Sequence, residues 1–133
     1  MNTKPLMTLN AIILALIGIS LIFLPKEILQ YFELSASDTL ELLMQITGSL
    51  YFAFAMLNWM SKGSIIGGIY GRPIAIANLT HFVIAGLTLI KGVLVNPGLS
   101  YVIWSIAIVY SIFAILFGIV AFKHPVSKNK VII

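Results

Sequence analysis

Residues 99–122 read LSYVIWSIAIVYSIFAILFGIVAF, and this stretch decides the fold class. It contains no charged side chain. A helix rising about 1.5 Å per residue needs about 20 mostly apolar residues to cross the hydrocarbon core of a bilayer, and this run is long enough. The uncharged stretch begins at Val93, but Asn96-Pro97-Gly98 is a turn signal, so the helix is predicted to start near Leu99. Ser100, Trp104, Ala107, Ser111, Ala114, Gly118 and Ala121 recur at alternating intervals of four and three. They form one stripe of mostly small residues. In lipid, helices gain nothing by hiding apolar surface from each other; close packing of small side chains and interhelical hydrogen bonds hold them together.

Working outward, residues 6–24, 42–61 and 73–90 are also free of charge. The chain is 133 residues long, 60% hydrophobic and 9% charged. A soluble domain of that size requires a charged shell that these residues cannot build. The predicted fold is an all-α membrane protein: one domain over 1–133, an antiparallel bundle of four transmembrane helices at about 6–24, 39–61, 73–92 and 99–122. A bundle with short loops uses nearly the whole chain and leaves no room for a soluble catalytic domain. The N-terminal run lacks a small-residue cleavage site and meets Pro25-Lys26-Glu27, so it reads as a retained helix.

Basic residues set the expected orientation. Lys4, Lys62, Arg72, Lys123, Lys128 and Lys130 fall on the tails and the middle loop, against Lys26 and Lys91 on the other side. The positive-inside rule then places both termini in the cytoplasm. The net charge of +4 is explained by these anchors. It shows no clustered, aromatic-interleaved surface for nucleic acid. The first loop carries Pro25 and then Ile28, Leu29, Tyr31, Phe32 and Leu34 at roughly helical spacing, which predicts a short interfacial helix between the first two spans. Asp38 with Glu41 suggests a capping box for the second span. The middle loop, 62–72, is glycine-rich and apolar. Its default reading is a flexible turn between basic anchors, and its lesser reading is a cradle for a lipid phosphate.

Each remaining span also offers a packing face. The first has Thr8, Ala11, Ala15 and Gly18; the second Glu41, Gln45, Gly48, Phe52, Ala55 and Trp59; the third Ala75, Asn78, His81, Ala85, Thr88 and Gly92. Polar side chains inside a membrane need a partner or a role. Asn10, Gln45, Asn58, Asn78 and His81 are the candidates. Asn58, Asn78 and His81, with Arg72 below them and Gln45 nearer the outer side, make up the candidate polar cluster. Its first reading is structural, as hydrogen-bond glue on the order of 0.6 kcal/mol per bond. Its functional reading is a small pocket open to the cytoplasmic interface, for a headgroup, a small solute or a proton. Ala107, Ser111, Ala114 and Gly118 are assigned to helix packing.

Catalysis finds little support in these residues. His81 has no acid in its half of the bilayer to complete a nucleophilic triad. His124 lies in the basic tail, and no set of His or acidic residues suggests a metal site. The absence of cysteine excludes disulfides, thiolate nucleophiles, iron–sulfur clusters and cysteine-bound zinc. No cofactor and no metal are expected.

The order of features resembles that of a group of small, largely uncharacterised bacterial four-helix membrane proteins. It comprises a first helix ending at Pro25, the amphipathic 27–34 segment, Gln45-Ile46-Thr47-Gly48 in the second helix and Asn58-Trp59 at its end. In outline the chain is also similar to the broader DoxX-like class. The resemblance implies a four-helix fold in a bacterial inner membrane and no particular activity. Three functions remain open. The first is a non-enzymatic accessory or scaffold component contacting the lipid bilayer, another membrane protein or its own copies. The second is a small homo-oligomeric transporter or channel lined by the polar cluster. The third is a lipid-modifying membrane enzyme.

Overall fold

The computed structural model describes residues 2–64 and 71–123. Among the described residues the regular structure is all helical, five helices and no strand, joined by turns. They are α1 (Lys4–Phe23), α2 (Pro25–Tyr31), α3 (Asp38–Ser61), α4 (Arg72–Val95) and α5 (Tyr101–Phe122). Four of them, α1, α3, α4 and α5, are long and apolar enough to cross a membrane. At 20 to 24 residues each, they run about 30–36 Å. That fits a multi-pass membrane protein. Their exposed residues agree: Leu50 is 66% exposed, Met60 77% and Phe122 74%, surfaces that suit hydrocarbon rather than water.

Prolines set several of the helix boundaries. Pro5, Pro25 and Pro73 each sit in a first turn, where a missing N–H costs nothing. The residue before a proline is also driven out of the helical region. Leu24, before Pro25, has φ −123° and ψ 38° and ends α1. Asn96, before Pro97, has φ −130° and ψ 85° and ends α4. The third span therefore runs to Val95 rather than to residue 92, because Gly92 alone does not stop a helix. Helix α5 begins two residues after Leu99, with Ser100 as its cap and its hydroxyl accepting from the Val102 N–H at 3.3 Å.

The chain divides into two compact units, Met1–Ser64 and Ile65–Ile133. In the first, α1 packs along α3, and α2 bridges their ends. The crossing of α1 and α3 is built on two glycines. A Cβ placed on Gly18 would lie 2.8 Å from the Gly48 carbonyl oxygen and 2.8 Å from the Phe52 nitrogen. A Cβ on Gly48 would lie 2.8 Å from the Gly18 carbonyl oxygen. The two backbones touch reciprocally, as small-residue packing in lipid requires. Met7, Asn10, Ala11 and Leu14 continue the buried face of α1.

Between α1 and α3 the chain makes a seven-residue helix and a capped turn. Helix α2 ends in a Schellman arrangement: the Glu33 N–H donates to Gln30 and the Leu34 N–H to Leu29. Glu33 sits at φ 55°, a left-handed position usually taken by glycine. The cap of α3 is Ser37, not Asp38. The Ser37 hydroxyl accepts from the Leu40 N–H at 3.2 Å, while Asp38 and Glu41 lie in the first helical turn. The capping-box expectation is thus shifted by one residue; the serine hydroxyl is short enough to reach back to the third amide. The exposed Lys26 lies 3.9 Å from the half-buried Glu41, a long, partly solvated pair contributing under ~1 kcal/mol.

In the second unit, α4 packs along α5. Phe82 is the centre of that contact. Its ring lies 4.9 Å from both Tyr110 and Phe113 and 5.7 Å from Phe117, stacked on the last two. Each such pair contributes about 0.5–1.5 kcal/mol. Gly86 lies beneath Tyr110, and Gly118 faces Leu79. Small residues here sit opposite large ones, so the buried line of α5 runs through Ala107, Tyr110, Phe113, Phe117 and Val120. The predicted small-residue stripe lies one position round. Ala107 and Ala121 are buried, whereas Ser111, Ala114 and Gly118 are half-buried.

Candidate functional site

Polar groups within apolar helices first find acceptors in their own backbone. The Thr8, Ser20, Thr47, Thr88, Ser105 and Ser111 hydroxyls each donate to the carbonyl four residues earlier, at 2.7–2.9 Å. A side chain one turn down a helix reaches that carbonyl without leaving its rotamer. Asn58 does the same with its amide, donating to the Phe54 carbonyl at 2.8 Å. Asn78 donates to the Ile74 carbonyl at 2.9 Å. Both asparagines, and Asn10, are fully buried.

The candidate residues are distributed as follows. Gln45 and Asn58 belong to α3 in the first unit; Arg72, Asn78 and His81 belong to α4 in the second. Asn78 and His81 sit one turn apart, with Asn78 buried and His81 half-buried. Arg72 is exposed in the first turn of α4. Gln45, predicted on the packed face of its span, is exposed instead. Gly48 and Ala55 are the buried members of that predicted face, while Phe52 and Trp59 are exposed. On α4, Phe82 and Gly86 take the buried places predicted for His81 and Ala85. The middle-loop cradle falls largely on residues 65–70, and His124 on the tail; both lie outside the described residues.

The pairing that sequence reasoning missed is between His81 and Tyr110. His81 Nε2 lies 3.3 Å from the Tyr110 hydroxyl, with ring centroids 5.5 Å apart. The Tyr110 ring is almost wholly buried. The same histidine packs edge-on against Phe82 at 5.1 Å. An imidazole and a phenol in contact inside an aromatic cluster form a donor–acceptor pair whose direction follows the imidazole tautomer. A signal existed in the sequence: Tyr110, Phe113 and Phe117 are spaced at 3 and 4 on a span otherwise rich in Ile and Ala. Comparison of the chain with protein-family models, curated proteins and solved structures finds no match.

Near the end of α3, the Lys62 ammonium lies 2.9 Å from the centre of the Trp59 ring. A cation on an indole at a helix end suits the boundary between apolar and aqueous layers, where tryptophan and lysine both anchor spans. Among the described residues no group of three His, Cys, Asp or Glu side chains is arranged to hold a metal ion.

Proposed function

We propose that this protein is a non-enzymatic accessory or scaffold component of a bacterial inner membrane. In this reading its four spans form an antiparallel bundle that contacts other membrane proteins or lipid. The observation that carries the proposal is the use made of intramembrane polar groups. The Asn58 and Asn78 amides and the hydroxyls along all four long helices donate to carbonyls of their own helices. Such bonds let a helix carry polar residues through hydrocarbon and leave its outer face to apolar contacts. Ile108, Ile112, Ile115 and Ile119 form one such outer ridge on α5.

The test is to tag the C-terminal tail, extract the protein gently from its own host, and measure mass and composition of the complex. A foreign membrane subunit in fixed ratio is expected. Recovery of this chain alone, or only with itself, would remove the accessory reading.

A transporter or channel is the second reading, and the His81–Tyr110 contact favours it. It is a polar pair with two interchangeable hydrogen-bond directions between α4 and α5. Asn78, one turn along the same helix, would belong to that path. The lipid-enzyme reading has no comparable observation behind it.

A further inference from the structure

The glycine crossing of the first unit brings two lysines to one level. A Cβ on Gly48 would lie 2.8 Å from Leu21 and 2.9 Å from Ile22, whereas one on Gly18 would lie 2.8 Å from Phe52. Higher numbers on α1 thus meet lower numbers on α3. Lys4 and Lys62 each stand about 21 Å from the crossing, one along each helix. Lys62 keeps helical backbone angles, φ −60° and ψ −21°, so the rise of α3 carries on to it. Met7 and Asn58, each one turn inward of a lysine, are fully buried.

Neither lysine has a carboxylate to pair with. The acids of the chain are Glu27, Glu33, Asp38 and Glu41, all at the other end of this unit. Glu41 lies about 30 Å along α3 from Lys62, several times the screening length of about 8 Å in physiological salt. No Asp or Glu follows Glu41 in the sequence, so the second unit brings none, however it sits. An apolar cover would strand both ammonium groups without a counter-charge, which is costly.

The Lys62 ammonium is also held in place. It lies 2.9 Å from the centre of the Trp59 ring, and Trp59 is 45% exposed. Tryptophan at the end of a span occupies the headgroup level of a bilayer. An ammonium on its ring face keeps N–H donors for an anion. Lys4, exposed at the start of α1, is a second cation at that level.

We propose that Lys4, Lys62 and Trp59 form a headgroup site for an anionic phospholipid, with both ammonium groups on its phosphate and the indole beside its glycerol. A phosphodiester supplies the missing negative charge and strong acceptors for charge-assisted hydrogen bonds. It also lies in the bilayer at the level where the indole sits. The inference rests on the membrane reading and not on the accessory role. That role stands or falls on what co-purifies, and this site on the lipid beside the purified chain.

Trp59 and Trp104 are the two tryptophans of the chain, so Trp104→Phe leaves Trp59 as the sole indole reporter. The full chain is placed in nanodiscs of phosphatidylcholine and phosphatidylglycerol, with bromine on the upper acyl chain of one lipid or the other. Brominated phosphatidylglycerol is expected to quench Trp59 beyond its share of the lipid, a preference of about 10-fold or more. Lys4→Gln and Lys62→Gln are each expected to lower that preference by about 5-fold, the weight of one basic residue at a membrane surface. Lys4→Arg and Lys62→Arg are expected to keep it, and so is Lys123→Gln, beyond the end of α5. Unchanged helicity by circular dichroism shows that each variant folds. Quenching in proportion to lipid share overturns the proposal. So does an equal loss from Lys123→Gln, which marks a diffuse field of basic residues in place of a site. Loss of the preference on adding soluble glycerol phosphate also overturns it, assigning the lysines to a free phosphate.

Discussion

Tyr110 shows how a single atom divides two roles. Its ring packs in the aromatic contact around Phe82 and against His81, while its hydroxyl makes the polar contact with the His81 Nε2. Tyr110→Phe keeps the ring and removes the hydrogen bond. The expected loss of stability is about 0.6 kcal/mol, the usual value for such a bond between membrane helices. Unfolding in mixed micelles measures it. Under the transporter reading, the same substitution lowers flux through liposomes while the fold persists; flux equal to wild type would take this pair off the path. The polar residues themselves were legible in the sequence, since any amide or imidazole in an uncharged run stands out. Their partners were not. Asn58 and Asn78 turn to carbonyls in their own helices, and His81 turns to a tyrosine 29 positions away. Which acceptor a side chain finds depends on which atoms surround it.

At the scale of the helix, glycines that look alike in sequence do different work. Gly18 and Gly48 lie where two backbones meet, and a methyl group on either would sit 2.8 Å from a backbone oxygen. Neither backbone can yield without parting the helices. Gly86 has 3.7 Å to its nearest neighbour, an ordinary contact. Gly48→Ala is therefore expected to destabilise by about 1–3 kcal/mol. Gly86→Ala is expected to be neutral or to stabilise by up to ~1 kcal/mol, through helix propensity. Comparing the two variants in one unfolding assay checks both. Helix extents were mostly legible, because proline acts on its neighbour through local sterics: Pro25 marks the end of α1 in sequence and structure alike, whereas α4 runs past the predicted residue 92 to the residues before Pro97. The buried face of each helix was less so. On α5 the predicted small stripe and the observed aromatic line are adjacent, and periodicity places both within one broad face.

For the whole molecule, membrane orientation is the property to test. Under the positive-inside arrangement, Ser35 before α3 faces outside and Ser64 after it faces the cytoplasm. Both are exposed in the fold. In intact cells a membrane-impermeant thiol reagent is expected to label Ser35→Cys and not Ser64→Cys; the reverse pattern would invert the proposed topology. The number and length of the spans followed from the sequence by itself. Hydrocarbon thickness, helix rise and the cost of charge in lipid are the same for every chain, so an uncharged run of sufficient length is readable without coordinates. Tertiary structure alone decided that Gly18 meets Gly48, that Phe82 rather than His81 occupies the centre of the α4–α5 contact, and that Gln45 faces outward. Those outcomes depend on the rotation of each helix about its axis. In lipid, close packing against a particular neighbour sets that rotation, and a pattern of apolar residues on every side leaves it open.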